Sequence, residues 1–446
     1  MNPDAGLVED LLGRALKSGA DQAEVFYKSY KNIAVEIKDQ AVESLSSSFS
    51  SGYSVRVIRN NRLGFSFSSE ITESDQVIAR AMDACQSVDE DLFHCLPSPS
   101  SANTIDIFDN AIRELKEDDA ISMAMQIERA AYDTDSRIKR VRKPLTSFTM
   151  AETIIANSLG VKAQYQSTSC SAQVTAVAES GKESQTGWDY MGSRFLKDIF
   201  CEDVGRTAAA SALRLLGSKK MQGKKTTVIL DHAVANDFLG VFASSLSSDA
   251  VQKGKSLLAN RLNTLVISPK ISIMDSGLLP GRLGSKPLDD EGVATQSKAL
   301  IKEGMLRSYL FNTYTARKGN TVSTGNAVRG GHASLPSVGI TNLYLEPASP
   351  ADCVAAKDLF KSVDKGLYVV DAMGIHMINS ISGDFSIGVT GLWIENGAIA
   401  FPVKEAVISG NLIDFFGKVS AVADDIRFYG SIGSPSLIIP DIDVSA

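Results

Sequence analysis

Two stretches set a pair of turn-forming residues between runs of alternating apolar and polar side chains, and this pattern constrains the fold most. In "GYSVRVIRNNRLGFSFSS" (residues 52–69) the alternation runs to Asn60–Asn61 and resumes beyond it. In "GLWIENGAIAFPVKEAVISG" (residues 391–410) it turns at Asn396–Gly397. A two-residue hairpin loop needs positive φ at its centre, which Asn and Gly reach most easily. A side-chain period of two does not suit a helix, so both stretches read as hairpins with one buried face. Further strand-like runs cover Ala23–Tyr30, Asn32–Asp39 and a pair joined through Asn157–Gly160.

Helical spacing fills the gaps. A first helix is expected over Asp4–Lys17, with Leu7, Leu11, Leu12 and Ala15 on one face. A second follows Thr72 or Ser74 as its cap. Others are expected near Glu117–Tyr132, Glu202–Leu216, Ala351–Ser362 and Asn411–Ala423. A strand pair followed by an acid-capped helix occurs twice in the first half, although the two units share few identical residues. No βαβ alternation appears, so the class is α+β. The expected organisation is an N-terminal α+β domain at 1–95 and a linker at 96–110, opening on the Pro- and Ser-rich "LPSPSSANT". A central α+β domain at 111–220 and a larger β-rich C-terminal domain at 221–446 follow.

Bulk properties exclude several classes. The net charge of −7 and the lack of a long basic stripe argue against a nucleic-acid-binding face. The one basic run, Arg137–Lys143, reads as a solvated strand edge. No segment approaches the roughly 18 apolar residues of a membrane span. The start has acids among its apolar residues, unlike a secretory signal. Five scattered cysteines without a C-x-x-C pair fit reduced thiols, so a cytoplasmic location is expected.

The search for chemistry centres on "LDHAVANDFLGVFASSLSSD" (Leu230–Asp249). His232 and Asp237 are five residues apart, about 140° around a regular helix, and do not converge on one ion. Asp231 suits an N-cap, which leaves His232 in the first turn near the surface. His94, His332 and His376 have no ligand-type neighbour at metal spacing. "LDDEGVATQ" (Leu288–Gln296) lacks the alternating acids of a calcium loop and reads as a turn. "TGNAVRGGH" (Thr324–His332) lacks the P-loop lysine and reads as a loop. Residues alone yield no catalytic constellation.

Longer strings carry a resemblance. "ANSLGVKAQYQSTSCSAQVTAVAES", "LDDEGVATQSKALIKEGMLRSYLFNTYTARK", "STGNAVR", "NLYLEP" and "GDFSIGVTGLWIENGAIAFPVKEAVISGNL" resemble, in order and over nearly the whole chain, the TldD/PmbA family. The likeness is to its PmbA (TldE) branch, also called modulators of DNA gyrase. It implies three domains and a heteromeric metallopeptidase acting on unfolded or peptide substrates. In that pairing the TldD-type subunit carries zinc on an H-E-x-x-x-H helix, and the PmbA-type subunit carries no metal motif. Anchored on Lys253–Gly254, the family's His, Glu and His fall at Leu239, Gly240 and Ser244, none of which supplies the chemistry. The metal-bearing subunits also use a Cys near the C-terminus, whereas the last Cys here is Cys353. The resemblance therefore implies a subunit with no catalytic residue and no cofactor of its own, with zinc expected in its partner. That partner is a TldD-like homologue in a heterodimer, or a second copy in a homodimer that binds peptides without hydrolysing them. A DNA-directed gyrase modulator and a peptidase with an unfamiliar site are the remaining readings.

Overall fold

The computed structural model describes residues 5–445, so Asp4, the expected start of the first helix, lies outside them. The first half is built on one antiparallel sheet of β1 (Gln22–Lys38), β2 (Ala41–Arg59), β3 (Arg62–Ser68), β4 (Ile138–Asn157), β5 (Lys162–Ser180) and β6 (Glu183–Ser193). The strand order is β3-β2-β1-β4-β5-β6. The runs expected as separate strands at 23–30 and 32–39 form the single strand β1. Its odd-numbered residues explain why. Val25 and Tyr27 pack under α1 (Ala5–Lys17) and α2 (Ser74–Ala84), and Ile33, Val35 and Ile37 continue the same face under a second helical layer. That layer holds the short α3 (Asn110–Glu114), α4 (Glu117–Thr134) and α5 (Cys201–Leu213).

The hairpin at Asn60–Asn61 has φ of 49° and 59°, and that at Asn396–Gly397 has 51° and 73°. Sequence gave no warning of a third tight turn at Asp39–Gln40, with φ of 54° and 57°. Glu128 of α4, fully buried, accepts the N–H groups of Asp39 and Gln40 at 2.8 and 2.6 Å. The cap expected for α2 is corrected. Neither Thr72 nor Ser74 caps it: Ser74 is its first residue and turns its hydroxyl back to the Ile71 carbonyl. A 3-10 turn at Ile71–Glu73 satisfies that end instead. α2 crosses β3 so closely that a Cβ on Gly64 would lie 1.8 Å from the Ala81 carbonyl oxygen. Gly64→Ala is therefore expected to cost about 1–3 kcal/mol by overpacking, read from thermal unfolding.

The C-terminal part starts with β7 (Lys224–Leu230), α6 (His232–Ala243) and α7 (Ser248–Gln252). Next come β8 (Ile271–Ser276), β9 (Ser297–Lys302), β10 (Met305–Leu306), α8 (Thr313–Lys318) and the small pair β11 (Ala327–Val328) with β12 (Ser337–Val338). β13 (Leu343–Pro347), β14 (Cys353–Val354), β15 (Lys365–Met373), β16 (Asp384–Glu395) and β17 (Ala398–Asn411) follow. The chain closes with α9 (Leu412–Gly417), β18 (Ala421–Ala423), β19 (Arg427–Tyr429), β20 (Ile432–Ser434) and β21 (Leu437–Ser445). β7, β15, β16, β17 and β21 form a closed ring, because β21 pairs with both β17 and β7. A second sheet, ordered β10-β9-β8-β13-β20-β19, packs with it around one large apolar core. The helix expected at 351–362 is replaced by 3-10 turns around β14, whose backbone pairs with β18 instead. The helix expected at 411–423 stops after six residues and gives way to that same strand. Overall the architecture is mixed α+β.

The two halves are joined by a buried ionic knot. Arg56 on β2 donates to Glu24 on β1 at 2.6 Å and to Glu291 at 2.9 Å, and Arg329 donates to the other oxygen of Glu24. Burial alone opposes the Arg56 charge, but Glu24 and Glu291 outweigh it and raise the guanidinium pKa further. "LDDEG" is indeed a turn, yet all three acids are buried. Asp289 accepts the N–H groups of Glu291, Val293 and Ala327, each at 2.9 Å, while Asp290 pairs with Lys286 at 2.8 Å. The segment after residue 95 is stitched to the same place: Asn103 donates to the Thr295 carbonyl at 2.7 Å, and Ser100 accepts from Ala294 N–H at 2.9 Å.

Candidate functional site

The expected N-cap forms. Asp231, 6 % exposed, accepts the Ala233 N–H at 3.0 Å and so fixes the start of α6. Its second oxygen takes the hydroxyl of Tyr368 on β15, whose pKa burial and the Asp231 carboxylate raise, and Arg214 stands 3.9 Å away. Asp231→Ala is expected to cost about 1–2 kcal/mol for the cap, and Tyr368→Phe about 1 kcal/mol for its hydrogen bond. Chemical denaturation of both variants checks the ranking.

His232 is half-buried and lines a cleft between the first sheet and the C-terminal part, with a volume of about 250 Å³. Its Nδ1 lies 3.2 Å from Asp231 and 3.3 Å from the Tyr429 hydroxyl. Trp188 of β6 packs on Tyr429 with ring centroids 5.3 Å apart, and Arg427 pairs with Asp189 at 2.8 Å. Burial raises the Tyr429 phenol, which makes a phenolate there unfavourable. Asp237 is not among the residues that line this cleft. Its side chain reaches solvent, while the surrounding protein and then the like charge of Asp371 push its carboxyl up to about 6. Asp371, the like charge beside Asp237, also lines the cleft of His232.

The three positions that the resemblance aligns with a zinc motif occupy unlike places on α6. Leu239 is fully buried in the large core. Gly240 faces Ile432, whose Cδ1 would lie 3.2 Å from an added Cβ. Ser244 is exposed at the helix end and donates to the Val241 carbonyl at 2.9 Å. These residues do not fit a zinc ion. His94 lies against Tyr314 with centroids 5.2 Å apart, and His332 packs on Phe67 at 6.2 Å. His376 sits in a 3-10 turn. Among the described residues no three His, Cys, Asp or Glu side chains group to hold a metal ion. All five cysteines are free, and no described helix is long and apolar enough to cross a membrane. Sequence reasoning missed the aromatic lining of the cleft, since β6, α6 and β19 supply it from distant positions and no local pattern joins them.

Models of the PmbA/TldA metallopeptidase domain 1, central domain and C-terminal domain match residues 23–85, 110–216 and 223–446. The chain belongs to the PmbA/TldD family. A metalloprotease PmbA homolog of Buchnera aphidicola subsp. Baizongia pistaciae is 32% identical over 73% of this chain and 70% of its own length. A metalloprotease TldD homolog of Haemophilus influenzae is 28% identical over 93% of this chain and 87% of its own, so both branches align. The fold matches a crystal structure from Thermotoga maritima, described as a proposed modulator of a DNA gyrase, with TM-score 0.91, 26% identity and 99% of each chain covered.

Proposed function

We propose that this chain is the metal-free, non-catalytic subunit of a PmbA/TldD-type peptidase assembly acting on unfolded or peptide substrates. One observation carries the reading: of the three positions that the resemblance aligns with a zinc motif, Gly240 has no side chain, Ser244 turns its hydroxyl to the Val241 carbonyl, and Leu239 is sealed in the core. A zinc peptidase needs at least three protein donors around the ion and an open position for water. The chain's contribution is then structural, to wall a chamber in which an extended segment lies against strand edges. Mixing the purified chain with a TldD-type H-E-x-x-x-H homologue tests this. Cleavage of an unfolded substrate is expected only with both chains present, and a chelator should abolish it. Cleavage by this chain alone, unaffected by the chelator, would refute the reading and restore that of an unfamiliar active site. A folded version of the same substrate should be cut far more slowly, and equal rates would remove the chamber from the account. A second reading, a stand-alone homodimer that binds peptides without cutting them, is favoured by β2, whose residues 41–52 pair with β1 but not with β3.

A further inference from the structure

The face of the first sheet that turns away from the helices is the floor of a second cavity, with a volume of about 520 Å³. The strand register lays out this floor. Lys28 on β1 lies opposite Thr153 on β4, which lies opposite Tyr165 on β5. Directly opposed residues in an antiparallel pair share a face, so the row points one way. Tyr30, Ala151 and Ser167 form the next row, and Thr149 with Ser169 the third. The C-terminal part supplies the roof through Leu283, Lys286, Asp290 and the loop at 328–331. Three neighbouring strands about 4.8 Å apart, and four steps of about 3.3 Å from Thr149 to Thr153, give a floor of roughly 10 by 13 Å.

The charges on the lining do not balance. Four cations reach it, Lys28, Arg194, Lys286 and Arg329, against one acid, Asp290. Asp290 pairs with Lys286, and Arg329 is held by Glu24. Among the described residues no carboxylate pairs with Lys28 or Arg194. The Arg194 guanidinium donates only to the backbone carbonyls of Thr168, Leu283 and Ser285, and its Nε is buried without a partner. Burial pulls its pKa down to about 10, since no carboxylate offsets the loss of water. Lys28 is half-buried in the floor. This local excess of positive charge stands in a chain whose net charge is −7. A cleft lined by one sign of charge between low-dielectric walls draws in the opposite sign.

We propose that this cavity is a subsite for an extended peptide segment bearing acidic side chains, in which Lys28 contacts a carboxylate and Arg194 adds a second positive charge beside it. The size argues for a peptide over a free anion. The 13 Å floor takes about four extended residues, whereas one phosphate would leave most of the volume unfilled. Ser167 and Ser169 offer hydroxyls to the backbone of such a segment. That the ligand is a peptide rests on the peptidase-subunit reading; that it is anionic rests on the cavity alone.

The test measures binding to the full chain by calorimetry. The probes are a capped Gly-Glu-Glu-Gly tetrapeptide, its Gly-Gln-Gln-Gly counterpart and inorganic phosphate. The glutamate peptide is expected to bind about tenfold more tightly than the glutamine one, the scale of one charge-assisted hydrogen bond. Its affinity should fall as salt rises. Lys28→Gln should remove that preference, and Lys28→Arg should restore it. Both variants are expected to melt with the wild type, because Lys28 has no ion pair to lose, and this separates recognition from folding. Equal binding of the two peptides, or none, overturns the proposal. So does a Lys28→Gln variant that keeps the full preference for glutamate. Phosphate that competes with the glutamate peptide at equal affinity also overturns it, by reducing the cavity to a free-anion site. No cleavage is involved, so failure here leaves the mixing assay untouched. Glutamate-selective binding with a failed mixing assay would keep the anionic site and remove the peptidase reading.

Discussion

Replacing Arg56 with alanine is expected to lower stability by about 3–5 kcal/mol, the usual consequence of leaving buried partner charges uncompensated. Glu24 keeps Arg329, but Glu291 loses its cation and is fully buried. Its second oxygen still accepts the Thr313 N–H at 2.9 Å, so the remaining charge is held in place rather than released to water. Arg56→Met should cost the same or nearly so, because the lost quantity is charge and not volume. Adding Glu291→Gln to either variant should recover a good part of the loss. Because Glu24 and Arg56 come from the first sheet and Glu291 and Arg329 from the C-terminal part, the variant should also separate one unfolding transition into two. Calorimetry of the single and double variants reads both effects. A loss below about 1 kcal/mol would mean that the knot is solvated and does not join the halves.

Leu239→His is the second large effect. The site is fully buried among Phe242, Leu246 and their neighbours in the main core. Truncating a buried leucine costs about 2–5 kcal/mol, and an imidazole adds the penalty of burying polar nitrogens without partners. Loss of stability at or above the leucine-to-alanine range is therefore expected, and added zinc should leave the melting temperature unchanged. Thermal melts of Leu239→His and Leu239→Ala, with and without zinc, make the comparison. Zinc-dependent stabilisation of the histidine variant would show that α6 can still turn this position toward a ligand.

Legibility of the chain followed the range of the physics involved. Asn60–Asn61, Asn396–Gly397 and the Asp231 cap are local, and their residues announce backbone geometry within three or four positions. The class, α+β with a strand-rich C-terminal part, followed from the same local signals. The ring of β7, β15, β16, β17 and β21 was not legible, because its closure depends on two partners for β21 far apart in sequence. The Asp39–Gln40 turn escaped because its stabiliser, Glu128, lies about ninety residues away. Asp289–Glu291 announced a turn but not its burial, since the cations that make burial tolerable sit on β2 and at Arg329. For the candidate site, spacing gave only the roughly 140° between His232 and Asp237 on a regular helix. The shared cleft of His232, Trp188 and Tyr429 needed the fold.

The central claim is that this chain serves a metallopeptidase without bearing its metal. The most direct measurement is a native purification of the tagged chain from its own cells, with mass spectrometry and zinc analysis of what accompanies it. The account predicts an H-E-x-x-x-H homologue in the complex, with zinc that stays with the homologue when the chains are separated. Zinc retained by this chain on its own would contradict it.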